Sequence, residues 1–68
     1  MPPIVSTTAE RLLRLRDVLH RTGLGSSTVY RYIAAGRFPA PVKIGAYAAR
    51  WKESEVDAWI ASLDVVEK

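Results

Sequence analysis

Cysteine is absent from this 68-residue sequence, and histidine occurs once, as His20. Without cysteine, the chain has no disulfide scaffold and no thiolate zinc site. A single helical histidine is usually a surface residue. The sequence also lacks a nucleophile beside a base, a phosphate-binding glycine loop and a pair of catalytic carboxylates. We therefore expect no metal, no cofactor, no small-molecule ligand and no enzymatic activity.

Long apolar runs are lacking as well. Hydrophobic residues make up 49% of the sequence, but none of their runs approaches the roughly 20 residues of a membrane-spanning helix. The first residues do not show the charged start and apolar stretch of a signal peptide. A chain of this length forms one small domain with a thin core. These features predict a single domain in the cytoplasm, without a membrane partner.

Acidic residues are scarce until the last quarter of the chain. Between residues 11 and 52 the single acid is Asp17, whereas residues 53–68 carry five acids and one lysine. The nine basic residues of the first stretch are Arg11, Arg14, Arg16, Arg21, Arg31, Arg37, Lys43, Arg50 and Lys52. This division indicates one surface for a polyanion, such as nucleic acid, and another turned away from it. A solvated surface whose charges cluster by chance is the alternative.

The first half of the sequence predicts two short helices joined by a tight turn. The first helix is expected over residues 16–22 and to be ended by Gly23. The second is expected to be capped by Ser26 or Ser27 and to run to about Ala35. This length and turn chemistry are typical of a helix-turn-helix unit, whose second helix enters a DNA groove.

The second helix has a polar and basic outward face. Val29 and Ile33 are four residues apart and share the inward face. At about 100° per residue, the opposite face carries Ser27, Arg31 and Ala34. Arg31 is the candidate for guanine readout, and an exposed arginine with no partner is the alternative. For the neighbouring tyrosine at position 30, packing against the turn and contact with a phosphate are equally favoured.

A β-hairpin is expected after the two helices, because the prolines that follow the second helix prevent its continuation. Residues 42–44 alternate as a half-buried strand does, residues 45–48 form the tip, and residues 49–51 return. A hairpin in this position is a wing. The wing residues expected near a DNA backbone are Lys43, Tyr47 and Arg50.

The last helix is predicted from a capping pair and an apolar stripe. Ser54 and Asp57 have the spacing of a capping box, and the stripe reads as core rather than as a partner-binding face. The stripe consists of Val56, Trp59, Ile60 and Leu63. The core as a whole is expected to contain Leu19, Val29, Ile33, Phe38, Trp51 and Trp59. Residues 12–14 are a brief strand or a docked lead-in.

The predicted architecture is mainly α with a small β-hairpin: a winged helix-turn-helix of three helices and a wing. Residues 1–10 are expected to form a flexible tail, residues 11–63 the DNA-binding domain, and residues 64–68 a frayed end. No heptad offers a dimer seam, so we expect a monomer that binds repeated sites side by side.

Three segments of the sequence resemble the AlpA family of small phage and prophage regulators, which is related to excisionases and to the MerR-like winged helix. They are RLLRLRDVLHRTGL, SSTVYRYIAAGRFPAPVKIG and RWKESEVDAWI, within residues 11–63. The more specific parts are residues 27–31, residues 38–43, and Trp51 followed by residues 54–59. The sequence departs from the family at Gly25, where members usually have a capping serine.

The resemblance implies sequence-specific DNA binding by a bacterial or prophage protein. Such a protein activates a promoter or acts as a directionality factor that helps an integrase excise the element. By position, Ser27, Thr28, Tyr30 and Arg31 correspond to the start of the recognition helix, and Lys43 and Arg50 to the wing. A nucleoid-associated location in the cytoplasm follows.

The complete set of candidate DNA-binding residues is Arg16, Ser26, Ser27, Thr28, Tyr30, Arg31, Arg37, Lys43, Tyr47 and Arg50. The expected partner is double-stranded DNA, with an integrase or another regulatory protein as a second partner. The alternative function is a protein-interaction module that binds an integrase or a response regulator through Glu53, Glu55 and Asp57. Against this alternative, acids in the first turn of a helix also match the helix dipole.

Overall fold

Three short helices and a small antiparallel sheet make up residues 10–66, the part of the chain that the computed structural model describes. The elements in order are β1 (Leu12–Leu13), α1 (Leu15–Thr22), α2 (Ser26–Ala34), β2 (Val42–Ile44), β3 (Ala48–Lys52) and α3 (Glu53–Ala61). The predicted mainly α fold with a hairpin wing is confirmed. Most of the predicted tail, residues 1–9, lies outside the described part, as do residues 67–68.

The turn between α1 and α2 depends on Gly23, which adopts the left-handed conformation with φ 76°. Its N–H donates to the Leu19 carbonyl at 2.8 Å, so the predicted C-terminal glycine of α1 is confirmed. The serine cap predicted for α2 is wrong, because Gly25 occupies the cap position with extended dihedral angles. Glycine costs little more than serine there, and Leu24 packs against the core and holds the chain at this point.

The sheet has the order β1-β3-β2 and is antiparallel throughout. Residues 12–13 form a strand, which settles the alternative left open by the sequence. In the register, Leu13 lies opposite Trp51, and both side chains are buried. The central strand therefore joins the first strand of the domain to the hairpin.

The core lies between the helices and one face of the sheet. Its buried members are Leu13, Val18, Val29, Phe38, Trp51 and Val56. The partly buried side chains packed against them are Leu15, Leu19, Leu24, Tyr32, Ile33, Trp59 and Ile60. All six residues predicted to share one core do so. The assignment of Leu63 to the core is wrong, because α3 ends at Ala61 and Leu63 is 54% exposed.

The start of α3 is held by a residue from the other end of the domain. The Glu10 carboxylate accepts a hydrogen bond from the Ser54 backbone N–H at 2.9 Å and another from the Ser54 hydroxyl at 2.7 Å. These hydrogen bonds lower the pKa of Glu10 below its usual range. The Ser54–Asp57 capping box is therefore wrong: Lys52 occupies the cap position, and Ser54 lies inside the helix. Glu10, expected in the tail, supplies the acceptor instead.

Both tryptophans hold the loop that connects α2 to β2. The indole N–H of Trp51 donates to the Pro39 carbonyl at 3.0 Å, and that of Trp59 donates to the Arg37 carbonyl at 2.7 Å. The Phe38 ring lies edge-on to Trp59, with centroids 4.7 Å apart. Three consecutive residues in the middle of the loop, 37–39, are thereby fixed to the tryptophans.

Candidate nucleic-acid interface

The outward face of α2 is open to solvent along its length. Ser26, Ser27 and Arg31 are exposed, and Thr28 is half-buried at the side. The opposite side of the helix is anchored by Val29, which is fully buried. The helical spacing that predicted this division therefore holds, and short polar side chains precede a cation on the free face.

Tyr30 is packed on one side of its ring and exposed on the other. Its ring lies edge-on to Trp51, with centroids 6.3 Å apart, so one side of the ring packs against the sheet. The residue is still 47% exposed. A half-packed tyrosine presents its hydroxyl from a fixed position. The phosphate contact stays a prediction.

The hairpin carries the other candidate residues. Tyr47 is 99% exposed at the tip, and Lys43 is exposed on β2. Arg50 is half-buried, and its guanidinium donates to the Ala49 carbonyl at 2.9 Å. The sequence does not indicate this last contact, which occupies part of the arginine.

Lys43 and Arg50 lie on opposite faces of the hairpin. Lys43 pairs with Ala49, and Arg50 pairs with Val42. Paired residues of an antiparallel ladder share a face, and successive residues alternate. Lys43 is therefore on the same face as Trp51, the face against which Tyr30 of α2 packs. Arg50 is on the outer face.

Arg16 and Arg37 complete the predicted set, and both are exposed. Within residues 10–66, the side chains of Arg16, Arg31, Arg37 and Lys43 form no ion pair and no hydrogen bond. Their charges are thus not neutralised by the protein.

The acids of α3 are arranged differently. The Glu53 carboxylate lies 3.5 Å from the Arg11 guanidinium and 3.4 Å from that of Arg21, and Asp57 also pairs with Arg21. Sequence reasoning missed this cluster, because its partners are more than 30 residues apart and no local spacing connects them. The cluster neutralises cations on the side of the domain formed by α1 and α3.

Two helices joined by a tight turn and followed by a hairpin against which the second helix packs define a winged helix-turn-helix protein. The family model described as the prophage CP4-57 regulatory protein (AlpA) matches residues 11–63. The chain belongs to this family, which confirms the resemblance. Within the described residues, no helix is long and apolar enough to cross a membrane.

Two relatives give the extent of the similarity. A protein of Enterobacteria phage P4, described as uncharacterized protein ORF88, is 44% identical over 59 residues, which cover 87% of this chain and 67% of the relative. The DNA-binding transcriptional activator AlpA of Escherichia coli K12 is 34% identical over 62 residues, covering 79% of this chain and 86% of the relative. No solved structure matches the chain.

Proposed function

We propose that this chain is a sequence-specific DNA-binding regulator of a prophage or mobile element. The observation that carries the proposal is the distribution of charge. Two cations, Arg11 and Arg21, are paired with acids of α3. Arg31 of α2 and Lys43 of the hairpin form no ion pair within residues 10–66, and neither does Arg16 of α1. A surface of free cations next to an exposed helix fits a phosphate backbone. The relative from E. coli, the DNA-binding transcriptional activator AlpA, supports the same function.

In the proposed complex, α2 lies in the major groove and the hairpin lies along the backbone. Arg31 projects from the middle of the free face and has the planar donor fork that binds guanine O6 and N7. Ser26, Ser27 and Thr28, at the start of the helix, are close enough to the groove edge to bond phosphates or bases. Tyr30 supplies a hydroxyl from its packed ring.

The remaining cations supply affinity rather than selection. Arg16, Arg37, Lys43 and Arg50 contact phosphates, and Tyr47 reaches the backbone from the hairpin tip. Contacts of this kind are independent of base sequence and fix the register of the protein on the duplex. Of the two regulatory outcomes that the resemblance implies, promoter activation and assistance to an integrase, the name of the E. coli relative favours activation.

The ion pairs weigh against the alternative of a protein-interaction module built on the α3 acids. Glu53 and Asp57 already contact Arg21, so a protein partner would have to displace that arginine. Glu55 alone remains of the three acids named for the alternative.

Binding to duplex DNA at several salt concentrations tests the proposal. A protein that contacts several phosphates loses affinity steeply as salt rises, and footprinting of the DNA beside its own gene then locates the preferred site. A flat dependence, or equal affinity for the footprinted site and a scrambled duplex, contradicts a sequence-specific regulator. Arg21→Ala is the matched control, since its charge is engaged by α3 and its loss leaves the salt dependence unchanged.

A further inference from the structure

Exposed aliphatic side chains are concentrated in two places within residues 10–66. One pair, Leu12 at 46% and Ile44 at 47% exposure, belongs to the sheet. The other group follows α3 and consists of Leu63 at 54%, Val65 at 82% and Val66 at 80% exposure. Neither group is used by the proposed DNA surface.

The sheet pair lies on the outer face, away from the core. Leu12 pairs with Lys52, and Ile44 pairs with Ala48. By alternation these residues lie on the side opposite Trp51, and Val42 lies on the same side. On this outer face, Val42 and Ile44 form an apolar strip along β2, and the central strand beside them carries Ala48, Arg50 and Lys52.

The β2 strand is also an edge. In the described chain it pairs with β3 on one side only, which leaves a row of backbone donors and acceptors free. Its three residues alternate in a simple order: Val42 outward, Lys43 inward and Ile44 outward. An added strand fits this edge when it presents two apolar residues on either side of an acid.

The segment after α3 has that pattern. Leu63, Asp64 and Val65 are consecutive, have no regular secondary structure and are exposed. In an extended strand, Leu63 and Val65 point to one face and Asp64 to the other. The segment and β2 thus match in length, in alternation and in opposite charge, whichever direction the added strand runs.

We propose that residues 63–65 of one copy add as a strand to the β2 edge of a second copy of this chain. Asp64 then lies beside Lys43 of the neighbour, while Leu63 and Val65 extend the apolar strip on its outer face. The Lys43 ammonium has three donors, so this pairing leaves donors for a phosphate.

The interface is small. Three residue pairs and a few aliphatic side chains bury far less than the roughly 1,200 Å² of a stable complex. The copies are therefore monomers in dilute solution and associate where something holds them close together. This step rests on the proposed function: duplex DNA with adjacent sites holds two copies side by side. The effective concentration of a neighbour there is about millimolar. Donor and acceptor surfaces differ, so the contact is head-to-tail and repeats along the duplex.

The absence of cysteine allows a direct test. Ile44→Cys protein is mixed with Leu63→Cys or with Val65→Cys protein at micromolar concentration on a long duplex and oxidised. The expected product is the mixed disulfide, Leu63→Cys reporting an antiparallel strand and Val65→Cys a parallel one. Its yield should exceed that with His20→Cys, an exposed control on α1 that is held on the same duplex at the same effective concentration but has no proposed contact with Ile44 of a neighbour.

The other outcomes overturn the proposal. Predominant Ile44→Cys homodimers indicate a face-to-face contact, and a cross-linked monomer from the double variant Ile44→Cys/Val65→Cys indicates that the segment covers its own sheet. A yield equal to the His20→Cys control indicates no contact. The same mixture at millimolar protein without DNA separates this inference from the proposed function, because the mixed disulfide then forms even if the duplex is not bound. Asp64→Lys should abolish the excess in both settings, whereas Glu55→Lys, which has the same change of charge on α3, should retain it.

Discussion

The two sides of this small domain use arginine in different ways. On the side formed by α1 and α3, Arg21 is held by two carboxylates. On the side formed by α2 and the hairpin, Arg31 and Lys43 have no charged partner within residues 10–66. Both sides rest on the same core strand, β3. The first side therefore contributes to stability, and the second remains available for a ligand.

This difference shows that the number of cations in a sequence is a poor guide to a binding surface. Nine basic residues precede position 53, yet Arg11 and Arg21 are taken up by α3, and Arg50 donates to a backbone carbonyl. The position of the acids in the fold decides which cations remain. Substitutions on the two sides should consequently separate loss of stability from loss of binding.

Replacement of Trp51 removes the support of both sides and has the largest effect. The side chain is fully buried, packs against Tyr30 and donates to the Pro39 carbonyl. Trp51→Ala should cost about 3–5 kcal/mol of the free energy of unfolding, enough to unfold a domain this small. Thermal unfolding followed by circular dichroism measures the loss. Trp59→Ala should cost less, because Trp59 is partly exposed, and a Trp51→Ala melting point within a few degrees of the unchanged protein contradicts the core assignment.

Replacement of Arg31 tests the free side alone. A bidentate contact to guanine is worth about 1–3 kcal/mol of discrimination, so Arg31→Ala should lose preference for its site with little change in stability. Arg31→Lys should restore general affinity better than preference, because lysine lacks the planar fork. Titration against site and scrambled duplexes at two salt concentrations distinguishes the outcomes. Equal losses on both duplexes make Arg31 a phosphate contact, and no loss on either removes it from the interface.

The two hairpin cations, Lys43 and Arg50, should contribute unequally to DNA binding. Lys43 faces the α2 side of the sheet, whereas Arg50 faces outward and is engaged by the Ala49 carbonyl. Lys43→Ala should lower the salt slope of DNA binding by about one unit, and Arg50→Ala should lower it by less. If the double variant keeps the original slope, the hairpin does not contact the backbone.

Replacement of Arg21, on the side formed by α1 and α3, should lower stability and leave DNA binding unchanged. Arg21→Ala removes both contacts to α3, which are partly exposed to solvent, so the expected loss of stability is about 0.2–1 kcal/mol. The salt slope of DNA binding should not change. Chemical denaturation measures the first quantity and duplex titration the second. A lower salt slope with unchanged stability would show that Arg21 belongs to the binding surface.

The Glu10 contact has the smallest expected effect and depends on pH. Hydrogen bonds from Ser54 lower the pKa of Glu10. Its stabilisation is therefore present above the pKa of the unfolded chain, about 4.3, and is lost as the pH falls through the lower folded value. Glu10→Gln should reduce stability near neutral pH and make its decline in acid less steep. Identical stability profiles between pH 2 and pH 7 for both proteins would contradict the contact.

Local signals in the sequence predicted most of the fold. The spacing of Val29 and Ile33 gave the inner face of α2, and Gly23 gave the end of α1. The alternation around Lys43 gave the first strand of the hairpin. These features depend on residues within one or two turns of each other, where the period of the backbone decides the pattern.

Contacts between distant residues were not predictable in this way. Glu10 lies 44 positions before Ser54, and Arg21 lies 36 before Asp57. Local spacing alone interprets the α3 acids as matching the helix dipole and Ser54 as a cap. In the structure, Asp57 instead pairs with Arg21, and Ser54 donates to Glu10. The free face of α2 was predicted from its spacing, but the half-packed state of Tyr30 depends on Trp51 in another strand. The DNA contacts themselves stay predictions.

The two indole hydrogen bonds to the Arg37 and Pro39 carbonyls also have a mechanical consequence. They fasten the linker between α2 and the hairpin to the core, so the two parts cannot pivot about that linker without breaking one of these bonds. The span between α2 and the hairpin is therefore fixed. In the proposed complex, a duplex whose grooves do not fit this span has to bend or twist to meet it. Sequences that deform at low cost are consequently favoured even where no side chain contacts a base.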